Sequence, residues 1–250
     1  MMANRLRPAI VVLGVVAGLV PAPVPARLRS ALLIFGIFLG LCGTWILVPA
    51  LLAPKPNGLP LDRILADAAS TRRPRAVLAA GIGAIRGDLW AEAAFTGAHF
   101  MWQDPATVLD ETASSQLNRI RANAETALVW APVNSAVWLL LAMLPQNPSD
   151  RDSPVSTLLE LSYFTAPNDL SLGPLRIMRA ATSSALANKD IQLFVKSDIR
   201  GILDREPDHQ QDIIAAYRKA LPQNQPIFET LVAEIDPAVA TTLLSSPQSK

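Results

Sequence analysis

The hydrophobic pattern is dominated by one stretch. From Ser30 to Ala53 the chain reads SALLIFGIFLGLCGTWILVPALLA, 24 residues without a charge. About 20 predominantly apolar residues suffice to cross some 30 Å of hydrocarbon. Lipid offers no partners to backbone N–H and C=O groups, so such a segment crosses as a helix. The pattern predicts one transmembrane helix over 30–53. Before it, residues 1–29 form a basic and apolar N-terminal segment. Within that segment Ala9–Val20 is a shorter apolar run, stopped by Pro21, Pro23 and Pro25. Proline removes a backbone donor and clashes in a helix interior. Three readings of Ala9–Val20 stay open: an interfacial segment, a second span, or a signal peptide.

Pro54–Pro60 (PKPNGLP) is a linker, because proline and glycine at this density break regular structure. Beyond it, over 61–250, the pattern is helical, and no alternating β-branched run argues for a strand. Leu61–Ser70 and Arg75–Arg86 form a first pair. Asp88 is placed to cap a helix reaching Trp102. Thr107 and Asp110 resemble a capping box that opens a long helix through Ala131. Asn134 caps the next, and Ser153 with Pro154 starts another. Pro174 opens a helix to about Leu186, Asn188 caps one to Leu203, and Asp208 begins one to Leu221. The last two run near Pro226–Ile235 and Pro237–Ser245. The 3.6-residue period is clearest at Ile191, Val195, Ile199 and Ile202, with Phe194 and Leu203 widening the stripe. Lys196, Asp198, Arg200 and Asp204 are read as its solvated faces.

One junction carries a more specific signal. Ala127 and Leu128 fall late in one helix, Pro132 in the turn, and Trp138, Leu141 and Ala142 in the next helix. This spacing resembles the junction between two tetratricopeptide repeats. A weaker copy ends at Pro167, 35 residues after Pro132. The resemblance covers roughly Asp88–Arg179. It implies an all-α fold: an N-terminal transmembrane helix followed by antiparallel helix pairs in a TPR-like solenoid. Repeat solenoids present extended concave surfaces to partners, so it also implies a scaffold for protein–protein interaction. The layout further resembles membrane-anchored bacterial repeat-like proteins associated with envelope polysaccharide. That resemblance implies a role in exopolysaccharide production or export.

Charge and composition narrow these expectations. The chain has 22 basic and 21 acidic residues. The first 53 residues hold four arginines (Arg5, Arg7, Arg27, Arg29) and no acid, which leaves 18 basic against 21 acidic residues beyond them. A mildly acidic domain lacks the basic stripe of a nucleic-acid binder, and no nucleic-acid partner is expected. Arg27 and Arg29 before the span place the N-terminus in the cytoplasm by the positive-inside rule. In a bacterium this puts the protein in the inner membrane and the domain in the periplasm. A two-span hairpin or a cleaved signal would put the domain in the cytoplasm.

Candidate chemistry is sparse. Cys42, the single cysteine, lies within the span, so no internal disulfide can form. The two histidines, His99 and His209, make no zinc-binding pattern. Gly81, Gly83 and Gly87 lack the spacing of a phosphate loop and read as close helix packing. Asp88 and Glu92 share a helix face and read as a cap and a surface residue. Trp90, Trp102, Trp130 and Trp138 read as core, with a sugar-stacking platform as the alternative. No catalytic, cofactor-binding or metal-ligating residue is assigned, and no enzyme activity or cofactor is expected. The alternatives are a polysaccharide-binding module and a glycan-acting enzyme that works through paired carboxylates.

Overall fold

The structure is a computed structural model. It describes residues 25–55, 58–102, 111–145, 155–205 and 209–245. Among the described residues every regular element is helical. The chain divides into two compact units, Met1–Leu47 and Val48–Lys250. Ala9–Val20, Thr107, Asp110, Ser153, Pro154 and Asp208 lie outside the described residues.

Helix α1 runs Ala26–Leu52, about 40 Å at 1.5 Å per residue. It starts four residues before the expected Ser30. The Leu28 amide donates to Pro25 O at 2.9 Å, which closes its first turn around Arg27 and Arg29. Its large side chains, Leu33, Ile34, Leu41 and Leu51 among them, stand exposed on all sides. A helix that is apolar all round belongs in a core or a membrane. This one is long and apolar enough to cross a bilayer, a test that an N-terminal signal sequence also passes.

In the second unit, α2 (Arg63–Ser70) is capped by Asp62, whose carboxylate accepts the Leu65 N–H at 2.7 Å. Helix α3 covers Arg73–Ile82 and stops at Gly83 rather than reaching Arg86. A Cβ at Gly83 would meet Leu89 Cδ1 at 2.5 Å, so the glycine lets α3 end against the next helix. Helix α4 is Gly87–Phe95. The sequence suggests one helix through Trp102, but α4 ends at Thr96 and a 3₁₀ turn, Ala98–Trp102, follows. Gly97 marks the break, because a Cβ there would lie 2.3 Å from Ile120 Cδ1.

Helix α5 is Glu111–Trp130 and α6 is Ser135–Met143. As expected, Asn134 caps α6, accepting from the Val137 amide. Helix α7 is Val155–Thr165 and α8 is Gly173–Ala181. The helix opened by Pro174 does not continue to Leu186. The Ser183 hydroxyl donates to Arg179 O at 2.7 Å and starts a 3₁₀ turn over Ser184–Ala187. Helix α9 is Lys189–Arg205, α10 Gln210–Lys219, α11 Gln225–Ala233 and α12 Pro237–Ser245.

Packing follows chain order. Helices α3–α4, α4–α5, α6–α7, α8–α9 and α11–α12 pair as sequence neighbours. Next-but-one contacts link α4, α6, α8 and α10 in series, and α7, α9 and α11 likewise. One continuous core joins α4 to α12, with Ile120, Leu139, Ile177, Ile199 and Phe228 among its fully buried residues, and α3 packs on α4 through a second, smaller cluster. The predicted α9 stripe is buried at Ile191, Val195, Ile199 and Ile202, with Phe194 and Leu203 at its edge.

Candidate functional site

The junction residues fall where helices meet. Ala127 and Leu128 are buried in α5, and Leu141 and Ala142 are buried in α6. Helices α5 and α6 touch. Pro132 is exposed in the turn between them. Trp138 is half-buried, and its indole N–H donates to Pro132 O at 2.8 Å. The tryptophan thus holds the turn as well as the groove. Pro167 is exposed beyond the end of α7. Trp90 behaves like Trp138: half-buried, with its indole bonded to Ala84 O at 3.0 Å. Trp102 is half-buried too. Trp130 is 51 % exposed, between Val129 and Val133, which are also exposed.

The charges expected on solvated faces need correction. Asp198 is only 2 % exposed. Its position explains this: 191, 195, 198 and 202 form one helical stripe, and the sequence puts a carboxylate in it. Glu92 is buried as well. Asp88 does not cap α4. The helix begins at Gly87, and Asp88, in its first turn, accepts two bonds from the Arg86 guanidinium, at 2.6 and 3.2 Å.

Around Asp198 lies the most polar part of the core. Ser162 on α7 donates to Ser135 O at the start of α6, 3.0 Å away. Arg176 on α8 is fully buried. Its Nε donates to Ser162 Oγ at 3.1 Å, and its Nη2 to Ser162 O at 2.7 Å and Ala166 O at 3.1 Å. The last carbonyls of a helix lack intrahelical donors, and a cation there also complements the helix dipole. Arg176 therefore closes the C-terminal end of α7 from α8. Its guanidinium carbon sits 4.6 Å from the Tyr163 ring centroid, within cation–π range. Tyr163 in turn stacks on Phe194 of α9, with centroids 4.8 Å apart.

The electrostatics follow from burial. Burial pushes the Asp198 carboxyl up to about 6, against the opposing pull of Arg176. Burial also lowers Arg176, which the Asp198 charge counteracts. Tyr163 is raised well above its usual value, by burial first and then by Asp198. Arg176 Nη1 is buried without a hydrogen-bond partner among the described residues, and the buried Tyr163 hydroxyl and Asp198 carboxyl face each other within interaction range. Asp198 also borders a polar cleft of about 160 Å³, with Asn168, Ser197, Arg200, Gly201 and Asp204.

The raised Asp198 makes stability depend on pH. Between about pH 4 and 6 the folded state keeps a proton that the unfolded chain releases. Stability therefore falls as pH rises through that window, by roughly 3 kcal/mol, and levels off above it. Asp198→Asn removes the titration. Thermal unfolding of the detergent-solubilised chain across this range should show the parent midpoint falling relative to that of the variant, since lowered groups such as His99 and Asp88 act alike in both. A parent midpoint that rises from pH 4 to 6, in a background where Asp198→Asn changes nothing, would sink the assignment.

Elsewhere, titratable groups do not assemble. His99 is half-buried against Phe100, and burial lowers its pKa. His209 pairs with Asp212 at the start of α10. Among the described residues no three His, Cys, Asp or Glu side chains group as metal ligands. The glycines Gly83 and Gly87 serve packing: a Cβ on Gly87 would lie 2.8 Å from Ala131 Cβ. Sequence reasoning missed Arg176. A signal existed, since 172, 176 and 180 lie on one helical face with Leu172 and Ala180, both buried.

Fold and site together define an all-helical protein with one apolar N-terminal helix and a buried cation on α8 that clamps the end of α7. No protein-family model, curated protein or solved structure matches the chain.

Proposed function

We propose that this chain is a membrane-anchored helical-repeat scaffold that docks a protein partner in the bacterial cell envelope. The series of contacts α4–α6–α8–α10 beside α7–α9–α11 carries the reading. Stacked helix pairs joined to their next-but-one neighbours are how a TPR-like solenoid grows, and α1 supplies the anchor. The polar core supports a structural over a chemical role. Arg176 spends its donors on backbone carbonyls and a serine that fix neighbouring helices. The tryptophans support docking over sugar stacking: Trp90 and Trp138 are held by backbone bonds, and Trp130 stands exposed near Val129 and Val133 in the chain, both also exposed. A role in exopolysaccharide production or export rests on the resemblance of layout alone.

Two measurements test the reading. A photoreactive side chain at Trp130 of the full chain, irradiated in the cells that make it, should give one discrete adduct of higher mass. No adduct at Trp130 or Val133 would remove the docking role. Alkaline phosphatase fused after Lys250 should be active if the domain is periplasmic. An inactive fusion, with a fluorescent reporter bright at the same place, would put the domain in the cytoplasm.

A further inference from the structure

Helices α2 and α3 are built inside out relative to the rest of the domain. In α9 the branched aliphatics face the core. In α2 the buried residues are Ala66 and Ala69, while Ile64 is 81 % exposed and Leu65 is exposed as well. In α3 the buried residues are Ala76, Ala79 and Ala80, while Val77 and Leu78 are exposed, as is Ile85 just beyond. Alanine lets these helices pack closely on the domain and leaves their large side chains pointing away from it. Large apolar side chains exposed on two consecutive helices, with alanine turned inward, are a candidate interaction face.

The charge of the segment names the partner. From Asp62 to Asp88 the chain carries Arg63, Arg72, Arg73, Arg75 and Arg86 against Asp62, Asp67 and Asp88, a net charge of +2, and the start of α3, Arg72 to Arg75, holds three arginines and no acid. An overall acidic domain thus concentrates cations where it also exposes aliphatics. Aliphatic side chains interleaved with arginine are the composition of helices that lie in the headgroup region of an anionic bilayer. Position agrees. Leu52 and Ala53, at the end of α1, pack on the cluster of Ala76, Ala79, Ala80, Leu89 and Ala93, and Pro49 lies beside Gly83. Within the second unit, Pro49 to Ala53 therefore lie directly against α3 and α4.

We propose that α2 and α3 rest on the bilayer surface, with Ile64, Leu65 and Leu78 in the headgroup–acyl boundary and Arg73 and Arg75 on anionic lipid phosphates. The inference rests on α1 being a membrane anchor. Docking of this face holds the domain at one orientation on the membrane instead of leaving it to swing on its linker.

The test uses the full chain in phosphatidylcholine vesicles with and without phosphatidylglycerol. An environment-sensitive fluorophore on the native Cys42 reports the anchor. The same fluorophore on Leu78→Cys, in a Cys42→Ser background, reports the face, and Leu65→Cys repeats it should the first variant fold poorly. Lipids brominated near the methyl end of the acyl chain should quench Cys42, lipids brominated high on the chain should quench Leu78→Cys, and aqueous iodide should quench neither. Phosphatidylglycerol should strengthen quenching at Leu78→Cys. Adding Arg73→Gln and Arg75→Gln should weaken it at least about two-fold, since each basic residue at an anionic surface contributes about 1 kcal/mol. Quenching by bromolipid at Cys42 but not at either face position would overturn the proposal and leave the anchor standing. No quenching at Cys42 would remove the anchor and the proposal with it. Face positions shielded from both bromolipid and iodide would show a protein cover, a second copy or another segment, and would also overturn it.

Discussion

Arg176→Met should destabilise the domain by about 3–5 kcal/mol, the order of cost of removing a buried cation that bonds two carbonyls and a serine and offsets a buried carboxylate. Methionine nearly matches the length of arginine but donates nothing. Ser162 O and Ala166 O, which now accept from Nη2 at 2.7 and 3.1 Å, would be left without that donor at the end of α7. Asp198 would lose the charge that opposes the effect of its burial. Its carboxyl would then titrate above 6, so the penalty should be larger at neutral pH than near pH 4. For a domain of this size each kcal/mol shifts the midpoint by roughly 2–4 °C, so a drop of about 10 °C is expected. Arg176→Met with Asp198→Leu should recover much of it, because an apolar replacement of the whole pair leaves no buried charge unpaired. A single variant melting with the parent at neutral pH would show that the clamp contributes nothing.

Phe228→Ala is the other change expected to cost about 3–5 kcal/mol, by lost burial plus the cavity left behind. Phe228 is fully buried on α11, with its ring centroid 6.1 Å from that of Tyr217 on α10. Helix α11 also contacts α9 and α12. Close by, the buried Asn224 amide donates to Ala181 O at 2.8 Å and Ser183 O at 2.7 Å, tying the turn before α11 to the end of α8. The C-terminal pair is therefore part of the common core, and the variant should melt in one transition at a lower temperature. A separate early transition, with the main one unmoved, would show instead that α11 and α12 unfold on their own.

Much of this architecture was legible from local signals. The α9 stripe at Ile191, Val195, Ile199 and Ile202 is buried as its period predicts, because burial on one face of a helix writes itself into a 3.6-residue spacing. Asn134 and Asn188 cap or flank the helices expected of them, since an N-cap acts within three residues. The errors came where a distant contact decides. The break after Phe95 depends on Gly97 meeting Ile120 across α5. The end of α8 at Ala181 depends on Ser183 and on Asn224 from a turn more than 40 residues away. Neither contact is visible in a local window. Trp138, expected to fill a groove, also spends its indole on the Pro132 carbonyl, which spacing alone does not reveal.

The sequence by itself determined that the chain is helical, that one apolar helix precedes the domain, and which faces of the strongly periodic helices turn inward. Composition and period carry that information because hydrophobic burial acts on every residue in much the same way. Only the tertiary structure decided which charges are buried. Asp198 and Arg176 sit on apolar stripes where a solvated charge is the cheaper default. Arg176 is held there by the carbonyl end of α7, and its charge offsets part of the cost of burying Asp198, an arrangement reached only when α7, α8 and α9 pack. It also decided that α2 and α3 turn alanine inward and isoleucine and leucine outward. A hydrophobic pattern names the apolar residues of a helix, but the partner that covers them is chosen by what the folded chain leaves uncovered.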